Sequence, residues 1–150
     1  MFLHRYKNKT IQGLTLVELL IVIAIIGILA GAFGIGVSKW RAKSRDSQRI
    51  TDIRALQQGL AFYYYHSEDS GDYPIADVYI TGSDSVSTEL INSGAISIIP
   101  TDPLNTGNYQ YHYCSLESCT GETDGSSYHI EYWMETGSAG KIQGQNFATP

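Results

Sequence analysis

The residue whose chemistry most demands an explanation is Glu18, set in the run Leu14-Thr15-Leu16-Val17-Glu18-Leu19-Leu20-Ile21-Val22. A carboxylate at the edge of an apolar stretch is costly and marks a functional site with a partner to be named. Other reactive groups are scattered. His66, His112 and His129 and many serines are present, but there is no Gly-x-Ser-x-Gly elbow, no His-Glu-x-x-His and no Cys-His pairing of known spacing. The chain is therefore expected not to be an enzyme. Tyr63-Tyr64-Tyr65 would suit stacking on nucleic acid, which also needs a positively charged groove. Residues 55–150 hold one basic residue, Lys141, against twelve acidic ones, so nucleic acid is excluded and the rings are assigned to packing of a sheet on a helix.

The elements that position these groups follow from charge and periodicity. Residues 19–38 are twenty side chains without a charge, which matches the ~20 that a helix needs to cross ~30 Å of hydrocarbon and predicts a membrane span. A basic leader with His4, Arg5, Lys7 and Lys9 precedes it, and Lys39, Arg41, Lys43 and Arg45 follow it. An ordinary signal peptide has its small-residue cleavage site after the apolar core; here no Ala-x-Ala follows, and the obvious joint lies before the core. Gly27, Gly31, Gly34 and Gly36 permit close helix approach.

Helical periodicity then continues to about His66, with Ile50, Ile53, Leu56, Leu60 and Tyr64 on one face and Arg45, Arg49 and Asp52 on or beside a polar stripe. One helix from Leu14 to His66 would be on the order of 80 Å long. Net charge is -5 for the 150 residues, but residues 39–54 carry +4 and residues 55–150 carry -11. A basic neck under an acidic head would bias how stacked copies register.

The joint Gly13-Leu14-Thr15-Leu16-Val17-Glu18, with the basic leader before it and the apolar run after it, resembles the type III signal of type IV pilins and type II secretion pseudopilins. The resemblance implies cleavage by a prepilin peptidase after Gly13, methylation of the new amino terminus at Leu14, and pairing of Glu18 with the Leu14 amino group of a neighbouring subunit. It also implies an α+β, pilin-like fold, a long amino-terminal helix packed on a small antiparallel sheet. The expected divisions are a cleaved leader at 1–13, a transmembrane and assembly half-helix at 14–38, an amphipathic half-helix at 39–66 and a globular head at 67–150. Lys and Arg counting alone would put the head in the cytoplasm, but the processing motif requires the leader inside and overrules it.

In the head, Tyr73-Pro74 resembles the family's helix-to-loop junction, and Pro100-Thr101-Asp102-Pro103 followed by Tyr109-Gln110-Tyr111 resembles the turn and strand of major pseudopilins. There Asp102 caps the turn and Pro103 fixes φ. A short helix is expected over 85–93, strands through Tyr109, Tyr111 and Tyr113 and through Tyr128, Ile130, Tyr132 and Met134, and a third strand near 142–148. Cys114 and Cys119, in an exported head with no other cysteine, suggest a small disulfide ring, with two free thiols as the alternative. Related pseudopilins bind calcium in a carboxyl-terminal loop; Asp102, Glu122 and Asp124 are the weak candidates here, and a solvated acidic loop without any cofactor is the expectation.

The function implied is a structural subunit, anchored in the cytoplasmic membrane by a single pass with its amino terminus inside and then polymerised into an extracytoplasmic filament. Its partners would be further copies of itself, the peptidase, an inner-membrane assembly platform and, before assembly, membrane lipid. The alternatives are a major-type pseudopilin of a secretion or competence system and, from another class, an unprocessed monomeric membrane-anchored binding domain.

Overall fold

A computed structural model describes residues 13–33, 36–66, 71–121 and 125–150. The leader through Gln12, Gly34 and Ile35, the exit segment 67–70, and the calcium candidates Glu122 and Asp124 lie outside the described residues. The chain divides into two units, Met1–Val37 and Ser38–Pro150.

The first unit carries helix α1 (Leu16–Phe33). Its start is fixed by a reciprocal capping box. The Glu18 amide donates to Thr15 Oγ1 (3.2 Å), while the Thr15 amide (2.8 Å) and hydroxyl (2.7 Å) donate to Glu18 Oε2, so amides that the first turn leaves without helical partners are satisfied. All large apolar side chains from Leu14 to Leu29 are exposed, so the helix presents an almost wholly apolar surface. Among the described residues, no helix is long and apolar enough to cross a membrane. The eighteen residues of α1 rise ~27 Å, short of the ~30 Å of hydrocarbon. The uncharged run 19–38 that predicts a span passes through residues 34 and 35, and Gly36 beyond them is a turn.

Helix α2 (Val37–His66) lies, but for Val37, in the second unit. Of the helix expected from Leu14 to His66, Leu16–Phe33 and Val37–His66 are described as helical, residues 34 and 35 between them lie outside the described residues, and Gly36, a residue that disfavours helix by ~1 kcal/mol relative to Ala, is a turn. The buried positions of α2 are Asp46, Arg49, Ile53, Leu56, Gly59 and Leu60, a stripe at three- and four-residue steps that starts with charge and ends apolar. Four strands follow, β1 (Asp77–Tyr79), β2 (His112–Cys114), β3 (His129–Met134) and β4 (Gly144–Ala148), in one antiparallel sheet of order β1-β2-β3-β4. Two short helices, α3 (Ser85–Asn92) and α4 (Glu117–Thr120), lie in the connections. Asp84 caps α3, its Oδ1 accepting from the Ser87 amide at 2.9 Å.

Alternation along the strands sorts the sheet into two faces. Tyr113, Ile130, Tyr132 and Met134 point inward onto Ile53, Leu56 and Leu60 of α2, joined by Val86 and Leu90 of α3 and by Tyr111 and Tyr128. Each fully buried aliphatic side chain contributes ~1.5–3 kcal/mol. Two buried tyrosine hydroxyls are satisfied: Tyr113 donates to the Pro74 carbonyl (2.7 Å) and Tyr111 to Asp52 Oδ2 (2.9 Å). The outward face carries the row Tyr79, His112, Glu131 and Phe147 in direct register.

The strands through Tyr128 to Met134 and near 142–148 form where expected. The strand expected from Tyr109 starts later, at His112, because Tyr109 closes a tight turn by exchanging backbone hydrogen bonds with Thr106 (3.0 and 3.1 Å). Gly107 has φ +56° there, as the first position of a type II′ two-residue loop requires.

Candidate functional site

The described residues of the amino-terminal motif are exposed. Gly13, Leu14 and Thr15 precede α1 outside any regular element, all three exposed. A Cβ added at Gly13 would meet nothing within 4 Å, so the chain itself leaves the backbone on either side of the Gly13–Leu14 bond uncrowded. Glu18 is exposed, and its described partner is Thr15 alone. Gly27 and Gly31 likewise have nothing within 4 Å of an added Cβ. Sequence reasoning assigned Glu18 to a neighbouring amino group and missed the cap, although Thr-x-x-Glu before an apolar run is the sequence signature of a capping box.

The head contains a second charged site that sequence reasoning missed. Arg49, fully buried, donates from Nε to Asp102 Oδ2 (2.6 Å) and from Nη2 to Asp102 Oδ1 (3.0 Å), a bidentate pair. Its Nη1 donates to Asp46 Oδ1 (2.9 Å) and to Glu135 Oε1 (2.8 Å), and the Tyr109 ring lies 4.8 Å from the guanidinium. Asp46, also fully buried, accepts from the Glu135 amide (2.8 Å) and from the Thr136 amide (2.8 Å) and hydroxyl (2.7 Å). Arg45 closes the group with two bonds to Glu135, at 2.7 and 2.5 Å. The network ties α2 to the Asp102 turn and to the segment after β3.

Electrostatics agree with that geometry. Burial works against the Asp46 carboxylate, but the Thr136 hydroxyl, the amides of Glu135 and Thr136, and Arg49 outweigh it and hold its pKa below the usual range. Glu135 is lowered chiefly by the hydrogen bond from Arg45, with Arg49 assisting against burial. Burial also opposes the Arg49 charge, and the carboxylates of Asp102, Glu135 and Asp46 overcome it, so its pKa is raised further. Asp52 goes the other way, raised mainly by burial. Arg45 and Arg49, expected on or beside a polar stripe, are thus engaged by the head's own carboxylates, and Arg49 is buried. The signal was present: Asp46 and Arg49 sit three apart, in phase with Ile53, Leu56 and Leu60.

Asp102 caps its turn as expected, with Oδ1 accepting from the Leu104 amide at 2.8 Å. Both of its oxygens are also engaged by Arg49, which disfavours it as a calcium ligand. Among the described residues, no group of three His, Cys, Asp or Glu is placed to hold a metal ion. Cys114 and Cys119 are joined in a disulfide with Cα atoms 6.3 Å apart. The three described histidines serve local contacts: His66 Nδ1 lies 3.0 Å from the Phe62 carbonyl, His112 Nε2 lies 2.7 Å from Asp77, and His129 stands edge to face with Phe147.

A long helix packed on a small antiparallel sheet, with a Gly-x-Thr-Leu-x-Glu joint before an apolar helix, defines a pilin-like structural subunit. Residues 8–34 match the prokaryotic N-terminal methylation motif. The chain is similar to the type II secretion system core protein G of Vibrio cholerae, 31% identical over 113 residues that make up 70% of this chain and 73% of that protein. It is also similar to the type IV major pilin protein PilA of Myxococcus xanthus, 35% identical over 66 residues, or 44% of this chain and 30% of that protein, so that less than a third of the pilin's length is spanned. No solved structure matches. The chain belongs to the type IV pilin and type II secretion pseudopilin family.

Proposed function

We propose that this chain is a prepilin-type subunit cut between Gly13 and Leu14 by a prepilin peptidase, methylated at Leu14, and polymerised into an extracytoplasmic filament. Before assembly, the apolar segment 14–38 holds it in the cytoplasmic membrane with the leader inside, and an inner-membrane platform takes it up. The observation that carries the reading is α1, whose large apolar side chains are exposed, with the exposed Gly13–Leu14 bond just ahead of it. Such a helix needs first lipid and then other copies around it. In this role the subunit performs no catalysis and requires no cofactor.

Gly13→Ala tests the reading. The peptidase must bring the backbone at the cut close to its own catalytic groups, and only glycine lacks a Cβ there. The variant should accumulate uncut, about thirteen residues longer on a gel than wild type; normal-length protein would sink the proposal. One observation favours the secretion or competence pseudopilin as the particular filament: the match to core protein G covers 70% of this chain against 44% for PilA. Deleting the gene would then impair export of secreted proteins or DNA uptake. Loss of surface fibres alone would favour a pilus.

A further inference from the structure

The outward face of the sheet holds a small pocket that neither the core nor the amino-terminal motif uses. Tyr79 of β1, His112 of β2, and Glu131 and Trp133 of β3 line it, together with Gly107, Asn108 and Gln110 from the turn before β2. Three features of the lining narrow what it takes.

Its volume is about 90 Å³, room for roughly three waters and far below the ~300 Å³ at which pockets that enclose whole small molecules begin. Two aromatic rings are part of its otherwise polar lining: that of Tyr79, 55% exposed and 4.7 Å from the His112 ring, and that of Trp133. Its charge is acidic, with no Lys or Arg among the lining residues. The Asp77 carboxylate is engaged by His112 Nε2 at 2.7 Å. Glu131 Oε1 accepts from the Gln145 amide, but its Oε2 lies 3.8 Å from His112 Nδ1, beyond hydrogen-bond reach, and stands ready for an added donor.

We propose that this pocket docks a single cationic head, the ammonium of a lysine or the guanidinium of an arginine, presented by a basic segment of a partner protein. Glu131 Oε2 accepts a hydrogen bond from the cation, and the faces of Tyr79 and Trp133 attract it through their ring quadrupoles. An anionic ligand would meet Asp77 and Glu131 with no compensating charge, so phosphate groups and nucleic acids are disfavoured. The head supplies a background that favours cations throughout, since residues 55–150 carry -11.

The test is an NMR titration of the full chain in detergent micelles with acetyl-Gly-Ser-Lys-Ser-Gly-amide and with the same peptide bearing Gln in place of Lys. The chain has two tryptophans, so the indole N–H of Trp133 reports on the pocket and that of Trp40 on the neck. The lysine peptide should move the Trp133 signal and leave that of Trp40 in place, and the Gln peptide should move neither. Glu131→Gln should weaken binding at least about fivefold, and Tyr79→Ala about threefold, with unchanged spectral dispersion showing that each variant is folded. Equal shifts from both peptides, undiminished binding by folded Glu131→Gln, or a shift at Trp40 alone would overturn the proposal. So would maltotriose moving Trp133 equally in wild type and Glu131→Gln, which would make the pocket a neutral saccharide site.

Discussion

Glu18 and Asp46 are both acidic residues on helices, and the structure treats them oppositely. Asp46 is fully buried and accepts four hydrogen bonds, one from the Arg49 guanidinium and the others from groups about ninety residues away in sequence. Glu18 is exposed and, among the described residues, is held only by Thr15, three residues before it. The apolar side chains show the same contrast, buried in Ile53, Leu56 and Leu60 and uncovered from Leu14 to Leu29. The head completes its own interactions within one chain. The amino-terminal segment does not, and that incompleteness is what a polymerising subunit needs.

The sharpest way to break the comparison is to make the head incomplete. Arg49→Met keeps much of the side chain's volume and strands Asp46, Asp102 and Glu135 around a missing cation. Removing one partner of a buried ion pair costs ~3–5 kcal/mol, a large part of the ~5–15 kcal/mol that holds a domain together. Chemical denaturation should show a loss of that size, with maturation at Gly13 untouched. A loss below about 1 kcal/mol would mean that the network contributes little.

A smaller effect should come from pH. Asp46 and Glu135 have pKa values lowered by folding, so their contribution is fully present above the ordinary carboxylate range and is lost as pH falls through the lowered values. Asp52, raised by burial, acts in the opposite sense, since its charged form is disfavoured in the fold and acid relieves that cost. The stability difference between wild type and Asp46→Asn should therefore be large at about pH 7 and shrink between about pH 4 and pH 2. A constant difference over that range would contradict the charged role of Asp46. The smallest effect expected is that of a chelator: with both Asp102 oxygens held by Arg49, EDTA should leave the melting temperature of the head unchanged, and a drop of several degrees would restore calcium to the account.

Much of this was legible in the sequence because it rests on local pattern. The Gly13 to Glu18 joint, the stripe through Ile53, Leu56 and Leu60, and the alternation from Tyr128 to Met134 each fit within a dozen residues. Strand β1 was not legible, since three residues are too few to show alternation and Asp77 begins them. The charge network was missed for a different reason. Arg49 meets Asp102 and Glu135 across separations of 53 and 86 residues, and a basic residue in a helix that reads as polar gives no sign of being buried until the fold brings its partners to it. The same distance hid the outward pocket, whose lining comes from three strands and one turn.

The central claim, that the amino-terminal segment is completed by neighbouring copies, is tested most directly by comparing filament yield in Glu18→Ala and Glu18→Gln. Gln can still accept from Thr15 as a capping-box residue, but it carries no charge to pair with the amino group of Leu14. Both variants should be cut normally and have a head as stable as wild type, and both should lose most of their filaments, because the ammonium is left unpaired in an apolar bundle. Wild-type yield from Glu18→Gln, with only Glu18→Ala failing, would show that Glu18 does no more than cap its own helix and would contradict the claim.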